Sequence, residues 1–231
     1  MKQSSTATSY RGWQARSYNR VWRHFTQITL DHTLALVDNT ALSATNDQPR
    51  LLDVACGTGT LLARLLQRFP LAEAVGVDAS ADILAEARRT LDALPADRGR
   101  DVQLIQATLT AGPTAGLPLA PVSFDLITCS NALHYLPDPV GALHGLGALL
   151  APGGQLILED YARRGGLFPW VAFEWVVRRV DRGHVRAYTL PEARALVEQA
   201  ELTVVTDETF AVDWLWHGWA LRATREAYNQ E

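Results

Sequence analysis

Between residues 50 and 160 the apolar positions alternate between short continuous runs and helical spacing. Residues 51–55, Leu-Leu-Asp-Val-Ala, form a run closed by Cys56-Gly57-Thr58-Gly59, the pattern of a buried strand ending in a tight turn. Leu61, Leu62, Leu65, Leu66 and Phe69 then recur at helical intervals up to Pro70, so a helix follows the turn directly. Residues 74–77 predict a second strand, and Ser80 the cap of a helix whose apolar face holds Ile83, Leu84, Ala87 and Leu91. Residues 102–105 and 124–129 predict strands three and four. Asp138 before Pro139 is an N-cap with proline at the first helical position, and Pro152-Gly153-Gly154 stops that helix before a fifth strand over 156–158. Strand and helix in this repeated order predict an α/β, doubly wound, mostly parallel sheet, because right-handed crossovers put helices on both faces.

The chain end reads differently. A helix is expected over 191–200 and strands over 202–205 and 210–216, joined as a hairpin through the turn-like Asp207-Glu208. Two more segments flank the core. In residues 13–36, Tyr18, Trp22, Phe25, Thr29, His32 and Leu36 fall on one helical face, either as core or as a cover for the crevice. Residues 161–190 are too long for a plain connection, and an insertion after a strand's C-terminal end overhangs the crevice of a parallel sheet. The expectation is one domain: a helical cap over 10–45, a core over 50–160, a lid over 161–190, and a helix with a strand hairpin over 191–231.

Composition narrows the function. Hydrophobic residues make up 48% and charged residues 20% of 231, enough for a sizeable core. The formal net charge of -4 opposes a phosphate-neutralising surface, so no nucleic acid partner is expected. No apolar run reaches about 18 residues and the first nine residues lack a secretory apolar stretch, so neither membrane nor export is expected and the location is read as cytoplasmic. Cys56 and Cys129 sit inside apolar runs as buried thiols, and the six histidines show no metal-ligand spacing. No metal is expected.

A strand that ends in a glycine turn at a helix N-terminus brings ligand atoms against bare backbone. Asp78 stands 21 residues after Gly57, at the end of the second strand, placed to accept hydrogen bonds from ribose hydroxyls. Together the two imply a nucleoside. The wording around them resembles the class I S-adenosylmethionine (SAM)-dependent methyltransferases: Leu52-Asp53-Val54-Ala55-Cys56-Gly57-Thr58-Gly59, Val75-Gly76-Val77-Asp78-Ala79-Ser80, Ser123-Phe124-Asp125-Leu126-Ile127 with Asn131-Ala132-Leu133-His134-Tyr135-Leu136, and Leu150-Ala151-Pro152-Gly153-Gly154. The resemblance implies a seven-stranded sheet with an antiparallel last strand. It also implies that Asp53 and Gly57 lie near the methionine part of the cofactor, that Asp78 holds the ribose and that Asn131 borders the site. Ala55, Gly59, Ala79 and Leu109 complete the expected cofactor contacts. Ala15-Arg16-Ser17-Tyr18-Asn19 is similar to a segment that folds over the cofactor, which brings Tyr18 to it. There are two departures. Ala55 stands where the family more often has glycine, and Thr108 where many members place an aspartate for the adenine amino group.

By the same resemblance the chain methylates a small molecule, as a monomer or homodimer. Holding the nucleophile in line with the methyl carbon supplies roughly 7 to 11 kcal/mol in well-oriented systems, so a base is optional. His134, which follows the fourth strand, is the candidate base where one is needed; the alternative is a histidine that packs or caps in its loop. Trp170, Phe173 and Trp175 are the candidate acceptor contacts within the lid, or else a subunit face. Two other functions stay open: a SAM-binding regulatory or partner protein without catalysis, and a nicotinamide oxidoreductase, which Asp53 and the fourth-strand motif oppose.

Overall fold

The computed structural model describes residues 23–45, 48–69, 73–95, 102–163, 170–181 and 183–225. Each apolar run becomes a strand of one sheet: β1 (Arg50–Val54), β2 (Glu73–Asp78), β3 (Val102–Gln106), β4 (Phe124–Ser130), β5 (Leu150–Tyr161), β6 (Leu202–Ala211) and β7 (His217–Arg225). Their spatial order is β3-β2-β1-β4-β5-β7-β6. The first five pair in parallel, and β7 runs antiparallel to both of its neighbours. From β1 the chain winds toward β3, and from β4 it winds the other way toward β5. At that reversal the loops leave in opposite directions, and a crevice opens over the carboxyl ends of β1 and β4.

Alternation along the strands builds two cores. Leu51, Leu126 and Ile157 face α1 (Arg23–Ala35), α2 (Asn39–Thr45) and α3 (Thr60–Arg68) through Leu30, Leu34, Leu42, Leu62 and Leu65. Leu52, Ile127 and Leu156 face α5 (Pro139–Leu149) and α7 (Leu190–Gln199) through Leu143, Leu146 and Val197. Helix α4 (Ala81–Asp92) begins where expected, with the Ser80 hydroxyl accepting the Ile83 N–H at 3.4 Å. Asp138 caps α5 by accepting the Gly141 N–H at 2.9 Å. Among the described residues no helix is long and apolar enough to cross a membrane.

The chain end departs from the sequence reading. Asp207 and Glu208 do not turn. They lie inside β6, where Asp207 pairs with Arg194 and Glu208 with His32 at 2.7 Å. The turn comes later, where the Asp213 carboxylate accepts the N–H groups of Leu215 and Trp216, both at 2.7 Å. Residues 210–216 are therefore the end of β6 and the turn, and β7 occupies 217–225. Two adjacent acidic residues look like a turn in sequence because partners supplied by α1 and α7 are invisible there.

Helix α5 also fixes one wall of the crevice. Its Gly145 lies against the turn Pro113–Gly116, so close that an added Cβ would come within 2.2 Å of the Ala115 nitrogen and 2.4 Å of the Gly112 oxygen. That turn in turn holds the loop after β3, because the Thr110 N–H donates to the Ala115 carbonyl at 3.0 Å. Helix propensity favours alanine over glycine by about 1 kcal/mol, but overpacking against backbone that cannot swing aside costs about 1 to 3 kcal/mol. We expect the clash to win. Gly145→Ala should lower unfolding free energy by about 2 kcal/mol in urea titrations; a stabilised variant would show that the turn yields freely.

Candidate functional site

A cavity of about 500 Å³ occupies the crevice. Asp53, Ala55, Gly57, Asp78, Ala79, Thr108, Leu109 and Asn131 all line it, although they come from the carboxyl ends of four different strands and the loops after them. Gly59 does not line it. It sits at φ 74 as the N-cap of α3, and an added Cβ would lie 3.2 Å from Ala87, so this glycine lets α3 pack on α4. Tyr18 lies outside the described residues.

The turn after β1 is strained and held by Asp78. Ala55 and Gly57 both have φ 55, in the left-handed region that costs an L-residue roughly 1 to 2 kcal/mol, so the alanine at the usual glycine position carries that strain. Asp78 accepts the Gly57 N–H at 3.1 Å with one oxygen and the Ser80 N–H at 2.9 Å with the other. Its carboxylate also lines the cavity. Burial pushes its pKa up against these hydrogen bonds.

Asp53 is 1% exposed. One oxygen accepts the Thr128 hydroxyl at 2.7 Å, and the other has no hydrogen-bond partner among the described residues. Burial above all, with the Asp78 charge adding and the Thr128 hydrogen bond opposing, raises its pKa to about 7. An orphaned buried acid on a cavity wall calls for a ligand that carries positive charge or donates hydrogen bonds. Across the crevice, Asn131 holds a left-handed φ of 52. Its amide donates to Thr29 Oγ1 at 3.1 Å and to Glu159 Oε2 at 2.8 Å. Glu159 also takes the Ser130 hydroxyl, and burial together with the charge of Asp160 pushes its pKa well up.

His134 is buried behind this wall and does not line the cavity. Its Nδ1 lies 2.8 Å from Asp160 Oδ1, and its backbone N–H donates to the same carboxylate at 2.9 Å. Its ring packs on Tyr135 at 3.9 Å between centroids, and Tyr135, which reaches the cavity, donates its hydroxyl to Asp181 at 2.6 Å. The segment 161–190 meets the cavity through Gly183 and Val185. None of its three expected aromatic contacts does. Trp170 and Phe173, on α6 (Trp170–Val180), pack on Tyr161, Ala187 and Trp216, and Trp175 points outward beneath Arg179.

Helix α1 supplies Thr26 and Leu30, one residue away from the stripe read in the sequence. The stripe itself looks elsewhere: Phe25 meets Trp216, Thr29 meets Asn131, and His32 stacks on Phe210 at 3.8 Å. Thr26, Leu30, Tyr135, Gly183 and Val185 were all missed, because nothing in their spacing separates a cavity wall from a core. Among the described residues no group of His, Cys, Asp and Glu side chains is arranged to hold a metal ion.

The methyltransferase-domain family model matches residues 52–156, the stretch that builds this cavity. Residues 52–156 are a methyltransferase domain, and the chain has the class I SAM-dependent methyltransferase fold. It is 38% identical over 112 residues to a demethylmenaquinone methyltransferase of Thermus thermophilus, a match covering 48% of this chain and 47% of that one. It is 30% identical over 162 residues to a ubiquinone biosynthesis O-methyltransferase of Klebsiella pneumoniae, covering 69% and 60%. The chain thus matches about half the length of these curated relatives. Magnesium protoporphyrin IX methyltransferase of Synechocystis PCC 6803, solved with bound SAH, shares the fold at a TM-score of 0.69 and 15% identity, with 95% of this chain and 97% of that one covered.

SAM fits what this methyltransferase presents. The orphaned Asp53 oxygen suits its ammonium or sulfonium charge, and the Asp78 lone pairs suit its ribose hydroxyls.

Asp53 gives a pH signature. With a folded pKa raised above the unfolded 3.8, the native state binds the extra proton, so this group lowers stability as pH rises from about 4 to about 7. Asp53→Asn should therefore raise stability without cofactor by about 2 kcal/mol at pH 8 and by almost nothing at pH 4. Thermal melts across that range check it; a pH-independent difference would mean that Asp53 is not neutralised on folding. For the cofactor itself, Asp78→Ala should weaken SAM binding about 10- to 100-fold and Thr108→Ala far less, since only the first removes a charge-assisted acceptor. Calorimetry showing equal, small losses would overturn the ribose assignment.

Proposed function

We propose that this methyltransferase moves the methyl group of SAM to the hydroxyl of an uncharged small molecule. The observation that carries the reading is the single cavity in which Asp53, Gly57, Asp78 and Asn131 meet, bounded on its far side by Tyr135, Gly183 and Val185. Among the described lining residues every formal charge is a carboxylate, Asp53, Asp78 or Asp138, and this supports an acceptor without anionic groups. The name of the ubiquinone biosynthesis O-methyltransferase agrees with an oxygen acceptor, while that of a trans-aconitate 2-methyltransferase, 37% identical over 129 residues, points to an anionic one, which the acidic lining disfavours here. A cytoplasmic location, supported by the buried free thiols Cys56 and Cys129, and an acceptor other than nucleic acid, supported by the net charge of -4, belong to the same reading.

When bound, SAM supplies a methyl group on a sulfonium that leaves as a neutral thioether. The chain contributes position and a proton acceptor. Asn131 and Tyr135 flank the acceptor, and the rigid turn at Ala55 and Gly57 fixes the opposite side, so alignment rather than bond polarisation lowers the barrier. The Nδ1–H of His134 donates to Asp160, which leaves Nε2 as the basic nitrogen that receives the hydroxyl proton as the oxygen bonds to carbon. His134 sits one ring behind Tyr135, so the reading requires the Tyr135 side chain to admit the acceptor to it.

Calorimetry with SAM, followed by methyl-transfer assays on uncharged phenols and quinols, tests the proposal. With a hydroxyl acceptor, His134→Gln and Asp160→Asn should each lower kcat by about 10²- to 10⁴-fold, the second by reversing the tautomer, with SAM affinity unchanged. Losses below threefold would leave His134 as a group that merely seats Tyr135, and turnover of carboxylated acceptors in preference to their uncharged analogues would overturn the acceptor class.

A further inference from the structure

Helix α6 has two apolar faces, and only one of them is covered. The inner face puts Trp170 and Phe173 into a cluster with Tyr161 and Ala187, and the Phe173 ring meets Trp216 edge-on at 5.4 Å. On the outer face Val171 is 86% exposed, Trp175 56% and Val176 50%. The Phe173–Trp216 contact ties the β6–β7 turn to this helix, and that turn carries Trp214, 82% exposed. Single exposed apolar residues are ordinary; a tryptophan and two valines together on one side of a helix mark an interaction surface.

The charge around the patch is opposite to that of the chain. Residues 161–190 carry six arginines, Arg163, Arg164, Arg178, Arg179, Arg182 and Arg186, against Glu174 and Asp181, in a protein of net charge -4. Arg163 and Arg186 share Glu192. Arg178 donates to the Val185 carbonyl at 2.7 Å, lies 3.9 Å from Glu174 and stays half exposed, and Arg179 lies over the Trp175 ring at 3.9 Å from its centroid. By helical spacing Arg178 falls at the margin of the Val171–Trp175 stripe and Arg179 between Trp175 and Val176.

We propose that the outer face of α6 docks on an anionic lipid surface. Apolar side chains that include tryptophan, edged by arginine, are the composition that sinks into the boundary between headgroups and acyl chains. Arginine stems lie along the apolar layer while their heads stay among the phosphates. A second copy of the chain fits less well, because a two-fold contact brings the same basic patch to both sides, like charge facing like charge. Nucleic acid fits poorly too, since it offers phosphates but no hydrocarbon for Val171 and Trp175. This contact is peripheral, and it departs from the sequence expectation of no membrane partner. From α6 the chain runs through Asp181 to Gly183 and Val185 on the cavity wall, so a docked molecule holds that wall beside the lipid. The docking does not depend on the acceptor reading, and its test needs no acceptor.

The full chain should co-sediment with vesicles of phosphatidylcholine and phosphatidylglycerol and bind phosphatidylcholine vesicles at least roughly tenfold more weakly. The double variant Val171→Ser with Trp175→Ser, and separately Arg179→Glu, should each weaken binding to the anionic vesicles by about tenfold or more. Melting temperature and SAM affinity of these variants should match wild type, which separates docking from folding and from the cofactor site. Absence of binding to the anionic vesicles, or variants that bind like wild type, would overturn the proposal. So would a dimer by light scattering that Trp175→Ser dissociates, because a second copy would then cover the face.

Discussion

The site depends on one carboxylate. Asp78, at the end of β2, accepts the N–H of Gly57 from the turn after β1 and the N–H of Ser80 at the start of α4. These two hydrogen bonds join three segments that the sheet alone leaves independent, and they hold the Gly57 turn in its left-handed conformation. Gly59 closes the arrangement from the other side, since α3 approaches α4 only where it has no side chain. The cavity floor follows from these contacts. Its walls come from α1, the loop after β3, the loop after β4 and the segment around Val185.

Negative charge is concentrated at the carboxyl edge of the sheet. Asp53, Glu159 and Asp160 are almost fully buried near the ends of β1 and β5, and Asp78 lies beside them. Burial raises Asp53, Asp78 and Glu159 toward their neutral forms, and the Asp53 and Glu159 carboxyls each keep one oxygen without a partner among the described residues. Such an edge costs stability and suits a cationic ligand, which is the usual exchange of stability for binding at a functional site. A sulfonium cofactor supplies the missing charge.

The insertion after β5 separates two tasks that its composition blurs. Trp170 and Phe173 build core, and Gly183 and Val185 form cavity wall. Backbone hydrogen bonds from Val185 and Arg186 to the His134 carbonyl, at 2.9 and 3.2 Å, join that wall to the loop after β4. His184 is buried between the Tyr161 hydroxyl at 2.6 Å and Glu174 at 2.9 Å, so polar contacts as well as aromatic ones anchor the segment. Burial holds its pKa below the ordinary histidine value, which keeps this anchor uncharged near neutrality.

The sequence by itself determined the positions of the first five strands along the chain, the helix starts at Ser80 and Asp138 and the turn at Gly57, because local signals create them: apolar period, capping side chains and backbone freedom. It also determined the family, since the motif residues lie at the strand ends where a parallel sheet must place its ligand. Only the tertiary structure decided the hairpin. Asp207 and Glu208 stay in β6 because Arg194 and His32, remote in sequence, take up their charges. It alone decided which aromatics of 161–190 face core or solvent, and that Thr26 and Leu30 rather than the neighbouring stripe reach the cavity. Both questions turn on the rotation of a helix about its own axis. Period 3.6 fixes which residues share a face, and only the packing partner fixes where that face points.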